Sequence, residues 1–185
     1  MRKLFAFNFI TLNGFYKGLA DDITWHRHGE EESGFAAENM QGEGAILLFG
    51  RVTYHHMAAF WPTQEAIKNI PEVAAGMNQA EKIVFSNTLK KADWTNTKVV
   101  GGDIVKAIKK LKQTEGKDMT ILGSGSIVSL FADQGLIDGY QIMLDPVALG
   151  EGTPLFGGIT KKLDLRHTGT RTFKSGVVLL SYQPL

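Results

Sequence analysis

The strongest constraint on the fold is an alternation of short apolar runs with longer mixed segments. "KLFAFNFI" (3–10), "AILLFG" (45–50), "KIVFS" (82–86), "TKVVG" (97–101) and "MTIL" (119–122) are all short runs of this kind. They are rich in β-branched, aromatic or other apolar residues, the pattern of buried strands. The segments between them carry helix signals. Residues 103–115 are the clearest: Asp103 is a good N-cap, Ile104, Ile108 and Leu111 recur at helical spacing, and Gly116 stands where a C-cap belongs. "EEESGFAAENM" (30–40) places Phe35, Ala36 and Met40 on one side and opens with three acids, which suit a helix N-terminus. "RVTYHHMAAF" (51–60) is a helix stopped by Trp61-Pro62, residues 64–80 are helical with Pro71 near a start, and 126–134 is a helix ended by Gly135. "LIDGYQIMLDPVAL" (136–149) is a further strand.

Strand and helix in alternation imply right-handed crossovers and a mostly parallel sheet, an α/β fold with helices on both faces. The tail changes style. "LDLRHTGTRTF" and "GVVLLSYQP" read as two strands joined by a turn at Lys174-Ser175-Gly176, a C-terminal antiparallel hairpin at the sheet edge. The stretch from Thr11 to about Gly29 contains "NG", "KG" and "DD" and reads as a loop. Loops of that length in compact domains are often functional. With no linker in sight, residues 1–185 are expected to form a single domain.

Composition removes several classes of function. A net charge of +1 provides no global field for nucleic acid or an anionic membrane, so neither is an expected partner. There are no cysteines, hence no disulfides, thiolate zinc sites or thiol nucleophiles, which fits a cytoplasmic protein. The basic, apolar start resembles a signal peptide, but Asn8 and Asn13 interrupt it and no clean cleavage site follows. It is also far shorter than the roughly 20 residues that span a bilayer. The pairs His26/His28 and His55/His56 lack metal-ligand spacing, so no metal is expected. Neither a G-x-S-x-G nor a P-loop motif is present.

Three strand ends carry the candidate chemistry. "LGSGSIV" (122–128) runs a strand through Gly123-Ser124-Gly125-Ser126 into a helix. It is either a tight connection built of small residues or a phosphate seat at a helix N-terminus. As a dinucleotide fingerprint it is incomplete: Val128 stands at the third glycine, and the acid expected about 20 positions on falls near Asp145. "FGRVT" (49–53) repeats the logic: Arg51 is placed to meet a phosphate and Thr53 to donate a hydroxyl, or Arg51 simply faces solvent in a first helical turn. "FSNT" (85–88) is the third. In open α/β sheets, ligands bind outside the carboxyl ends of the strands, and that shared position weighs more than any one motif. A carboxylate among Glu30 to Glu32, shortly after Trp25, would anchor a nitrogen heterocycle by paired hydrogen bonds, or it is a surface acid favoured by the helix dipole.

In this order the motifs resemble the dihydrofolate reductase-like superfamily, in the bacterial branch that includes the reductase domain of riboflavin biosynthesis. The carrying stretches are "FITLNGFYKG" (9–18), "ILLFGRVTY" (46–54), "KIVFSNTL" (82–89) and the long block "ILGSGSIVSLFADQGLIDGYQIMLDPVALGEGTPLF" (121–156), with the closing strands. The resemblance implies NADPH as cofactor. It places Gly50, Arg51 and Thr53 at the pyrophosphate, and Ser86 and Asn87 at the adenosine side. Gly123, Ser124, Gly125, Ser126, Ile127 and Val128 fall along the phosphates and nicotinamide. The loop from about Asn13 to Thr24 becomes a lid, with Asn13 and Gly14 among the cofactor-binding residues. True dihydrofolate reductases carry Gly-Gly at the glycine turn, often with a cis peptide, so the Gly123–Ser124 bond is expected to be cis.

The resemblance further implies a reductase of a pteridine or aminopyrimidine-like heterocycle, moving hydride to a C=N or C=O carbon. It places the catalytic carboxylate, which would orient substrate or aid proton delivery, at Glu30 or Glu31, with Glu32 equally placed. The alternatives are a non-catalytic nucleotide-binding or regulatory module, or a reductase of an unrelated small molecule. A homodimer is plausible, with exposed aromatics such as Phe156 at its interface.

Overall fold

The computed structural model describes residues 1–27, 29–40 and 44–185. His28 and the side chains of Asn39 and Met40 lie outside the described residues. The chain runs β1 (Leu4–Thr11), β2 (Phe15–Lys17), α1 (Glu30–Met40), β3 (Ile46–Gly50), α2 (Arg51–Phe60), α3 (Gln64–Asn69), α4 (Pro71–Gln79), β4 (Lys82–Phe85), β5 (Thr97–Val100), α5 (Ile104–Lys112), β6 (Met119–Leu122), α6 (Gly125–Asp133), β7 (Gly139–Asp145), β8 (Thr153–Pro154), β9 (Leu165–Thr172) and β10 (Val178–Pro184).

Among these, eight strands form one sheet in the order β5-β4-β3-β6-β1-β7-β10-β9. From β5 to β7 every pairing is parallel, and β10 pairs antiparallel with both β7 and β9. The mixed sheet, the flanking helices and the closing hairpin match the expected α/β architecture.

Strand composition follows from burial on both faces. In β3, Ile46 and Leu48 enter one core cluster with α5 and α6, while Leu47 and Phe49 enter a second with α1, α2 and α4. β1 divides likewise. Leu4 and Ala6 face α6, whereas Phe7 and Phe9 face a third cluster with Phe35 of α1 and Met143, Phe173 and Leu179. β9 is the sheet edge and carries Arg166, His167 and Arg171, which discourage further strand addition.

The differences from expectation are local. Asp103 does cap α5, its carboxylate accepting from Lys106 N at 2.9 Å. But α5 ends at Lys112, a turn before Gly116. The segment 64–80 divides at Ile70, whose φ of −139° leaves helical space, and Pro71 starts α4. The strand expected over 136–149 is confined to Gly139–Asp145, since Pro146 has no N–H for a ladder. The loop from Thr11 to Gly29 contains β2, which pairs antiparallel with β8. Phe156 is half-buried against Tyr140 at a ring separation of 6.0 Å, so it is not the exposed aromatic expected from the sequence.

Candidate functional site

The parallel strands all end at one sheet edge. Thr11, Gly50, Phe85, Val100, Leu122 and Asp145 are therefore neighbours in space along that edge. The glycine turn sits at its middle. Gly123 and Ser124 are consecutive left-handed residues, with φ of +58° and +53°. No peptide among the described residues is cis, so the expected cis bond between them is absent and the left-handed pair makes the reversal.

Side chains from β1, from α2 and from the turn itself fasten it. Asn8, wholly buried on β1, donates from Nδ2 to Gly123 O at 2.8 Å. Ser124 Oγ accepts from Gly50 N at 3.0 Å and donates to Leu122 O at 3.1 Å. A Cβ on Gly123 would stand 3.2 Å from Thr53 Cγ2, so Thr53 closes the gap from α2. Gly50, Thr53, Gly123 and Ser124 are thus brought together, and the Ser124 hydroxyl is committed to joining β3 to β6. Ser124→Ala is expected to leave the Gly50 N–H without its acceptor and to cost about 1–3 kcal/mol, read from denaturant unfolding.

The groups left for a ligand are different ones. α2 and α6 begin side by side, and neither has a side-chain cap. Their first N–H groups have no helical acceptor, and the helix dipoles make both ends electropositive. Arg51 and Ser126 are exposed beside them, and no hydrogen bond or ion pair joins their side chains to the described residues. Gly125 lies flat beneath Tyr16 of β2: a Cβ there would meet the ring at 2.5 Å. Ile127 and Val128 turn into the core cluster under α6, so they shape the turn rather than line the crevice.

Ser86 and Asn87 occupy the end of β4 with their acceptors already engaged. Ser86 Oγ accepts from Thr88 N and Leu89 N at 3.2 and 3.0 Å, and Asn87 Oδ1 accepts from Gly102 N at 2.7 Å. Asn13 bridges two loops, with Oδ1 accepting from Thr11 Oγ1 at 2.8 Å and Nδ2 donating to Leu149 O at 2.7 Å. Gly14 has a φ of +86° and open space around it, and its carbonyl accepts from Leu155 N. The first half of the long loop is therefore pinned to the segment after β7.

The three glutamates of α1 separate. Glu30 is exposed. Glu31 binds the hairpin turn: Oε2 accepts from Lys174 N at 3.0 Å and Oε1 pairs with Lys174 Nζ at 3.0 Å. The Lys174 N–H and ammonium hold its carboxyl below the ordinary range. Glu32 is the buried one, 5% exposed, and accepts from Ser175 Oγ.

Asp145 was singled out in the sequence only as a distant fingerprint acid. The structure places it at the end of β7, with β1 intervening before β6. It is fully buried, Oδ1 accepts from Arg27 N at 2.7 Å, and Oδ2 has no partner. Burial pushes its carboxyl above the usual range, opposed by the Arg27 N–H and reinforced by the charge of Glu32. Asn8, Tyr16 and Arg27 are the site residues that sequence reasoning missed, and Asp145 was named there for a different role. The signal for Asn8 was a lone amide inside "FAFNFI".

Comparison with known proteins identifies the family and the fold. A family model of the RibD C-terminal domain matches residues 2–179. The chain belongs to the RibD C-terminal domain family. It is 30% identical over 173 residues to the uncharacterized protein YyaP of Bacillus subtilis, covering 94% of this chain and 90% of that protein. Among solved structures, a protein of Shewanella sp. PV-4 superposes with a TM-score of 0.76 at 21% identity, covering 99% of both chains. A diaminohydroxyphosphoribosylaminopyrimidine deaminase/5-amino-6-(5-phosphoribosylamino)uracil reductase of Thermotoga maritima superposes with a TM-score of 0.69 at 13% identity, covering all of this chain and 57% of that one. Dihydrofolate reductase of Enterococcus faecalis, complexed with NADP(H), superposes with a TM-score of 0.64 at 16% identity, covering 98% of this chain and 96% of that one. The RibD C-terminal fold here is thus dihydrofolate reductase-like. No helix among the described residues is long and apolar enough to cross a membrane.

Proposed function

We propose that the chain is an NADPH-dependent reductase of a pteridine or aminopyrimidine-like heterocycle. The observation that carries this reading is the pair of uncapped helix N-termini, α2 and α6, laced together by the Gly50–Ser124 hydrogen bond with Arg51 beside them. Adjoining N–H clusters and a guanidinium suit the two phosphates of a dinucleotide. Bound there, NADPH would supply a hydride.

The chain's own residues do the rest. Arg51 and the first N–H groups of α2 and α6 bind phosphate oxygens. Asn8 and Ser124 hold the turn to the geometry the cofactor meets. Phe7, Phe9 and Phe35, lying across β1 and α1, give the same strand ends an apolar side against which a heterocycle would pack, with Phe7 stacked on Phe35 and edge-on to Phe9.

NADPH fluorescence titration tests the reading. Binding with enhanced or quenched emission is expected, and Arg51→Ala should weaken it by about tenfold, the share of one charge-assisted phosphate contact. Absence of any fluorescence or calorimetric signal with NADPH defeats the proposal. NADPH oxidation followed in parallel with dihydrofolate and with the ribosylaminopyrimidinone precursor of riboflavin distinguishes substrate classes. Cofactor binding with neither substrate reduced favours the module or an unrelated substrate.

A further inference from the structure

We infer that Asp145 on β7, rather than a glutamate of α1, is the carboxylate that anchors the substrate. It takes an N–H donor of a cyclic amidine-like heterocycle on its unpartnered Oδ2. This rests on the reductase reading above and names the residue and ligand chemistry of that same site.

Two of the three α1 glutamates are already occupied, and the third, Glu30, points into solvent. Glu31 holds the backbone and side chain of Lys174, and Glu32 holds Ser175. Ser175 O also accepts from Arg27 Nη1 at 3.0 Å. These contacts fasten the β9–β10 turn and the segment before α1 onto the helix start. Asp145 joins that clasp through Oδ1, which accepts from Arg27 N, but its Oδ2 takes no part in it. Buried side-chain polar atoms nearly always have partners, and a carboxylate oxygen without one is costly. Nothing in the fold needs an acid here, since the Arg27 N–H would be equally satisfied by an amide oxygen.

The position also fits. Asp145 pairs in register with Thr11, on the face of β1 and β7 that carries Phe7, Phe9 and Met143. The His26 ring stacks on Phe9 with centroids 4.7 Å apart, and Arg27 closes over Oδ1. The charged and titratable groups around the carboxyl are therefore Glu32 from α1 and His26 and Arg27 from the preceding segment. An acid beside apolar and aromatic side chains, with one oxygen on a backbone N–H and the other acceptor vacant, matches a ligand presenting N–H at its edge. Its raised proton affinity suits a ligand that arrives neutral and shares a proton with the carboxyl.

The test uses the full chain and 2,4-diaminopyrimidine as probe, titrated calorimetrically in two buffers of different ionisation enthalpy. Wild type is expected to bind it with a buffer-dependent heat, showing a linked proton. Asp145→Asn should weaken binding by at least about tenfold, as loss of a hydrogen bond to a charged group does. Glu31→Gln should bind the probe as wild type does. Thermal melting supplies a readout that a purely structural acid would not give. Asp145→Asn should melt higher than wild type at pH 8 and lose the wild-type decline in stability as pH rises above the ordinary carboxylate range. Failure of wild type to bind the probe, unchanged binding by Asp145→Asn, or a lower melting temperature for that variant each overturns the assignment. NADPH titration of the same samples is scored separately, so failure of the reductase reading is seen on its own.

Discussion

Alanine at Gly125 is expected to lower stability by about 1–3 kcal/mol, where a glycine in a helix normally gains from the same change. Gly125 opens α6 with ordinary backbone angles, so a methyl group costs nothing in conformation and would ordinarily stabilise by about 0.5–1 kcal/mol. Space decides the sign. A Cβ there stands 2.5, 2.7 and 3.0 Å from three carbons of the Tyr16 ring. The ring is partly buried against the core cluster, and Phe15 and Lys17 on either side of it are paired with Pro154 and Thr153 of β8, so relieving the clash displaces packed groups. Gly34 in α1 is the control: nothing lies within 4 Å of its Cβ position, and Gly34→Ala should raise stability. Tyr16→Ala in the Gly125→Ala background should restore most of the loss, a coupling measured by a double-mutant cycle in urea. Equal and additive effects would show that the ring is not held. NADPH titration of the same four proteins then reports whether the Tyr16–Gly125 contact shapes the cofactor seat.

That contact also shows why part of the molecule was legible in sequence and part was not. β3, β4 and β6 announce themselves because both their faces are buried, which forces unbroken apolar runs ended by Gly or Ser. β2 and β8 have three and two residues, and their paired residues, Phe15 with Pro154 and Lys17 with Thr153, are far apart in the chain. Nothing local in "FYK" or "TP" encodes such a ribbon. Gly152 hints at it afterwards, since a Cβ there would meet Lys17 O at 2.6 Å.

The site divides in the same way. Which strand ends converge follows from topology, so Gly50, Thr53, Gly123 and Ser124 were found from their place at strand termini. What each side chain does there depends on partners far away in sequence. Ser124, Ser86, Asn87 and Asn13 read as ligand groups, yet all four have hydrogen bonds that fasten loops. Three consecutive glutamates point in three directions about 100° apart, and helical periodicity alone does not say which faces in. Glu32 stands three and four residues before Phe35 and Ala36, and the packing of those two decides it. Asp145 became visible only once its missing partner was.

The second large effect is expected at Lys82, where stability should climb by about 3 kcal/mol between pH 8 and 10.5. Lys82 is 1% exposed at the start of β4, and burial pushes its ammonium down to about 8. It has no carboxylate partner among the described residues. Its Nζ donates to Asn78 O and Ala80 O at the end of α4 and lies 4.5 Å from the centre of the Trp94 ring. Those carbonyls and the ring face stabilise the cation, but less than water does. Below pH 8 both folded and unfolded chains hold the proton, and the full desolvation cost bears on the fold. Between pH 8 and 10.5 the unfolded chain keeps a proton that the native state has released, so stability rises with pH; above that range the contribution is flat. Tyr140, whose hydroxyl burial pushes up to about 12, acts in the opposite direction above pH 10. The measurement is therefore the difference between wild type and Lys82→Met, in which Tyr140 cancels. Methionine keeps the aliphatic stem under Trp94 and removes the charge, although it leaves two carbonyls short of a donor at a cost of about 1–3 kcal/mol each at most. Urea unfolding from pH 7 to 10.5 should give a wild-type curve that rises relative to the variant, and parallel curves would show that Lys82 titrates as an ordinary surface lysine.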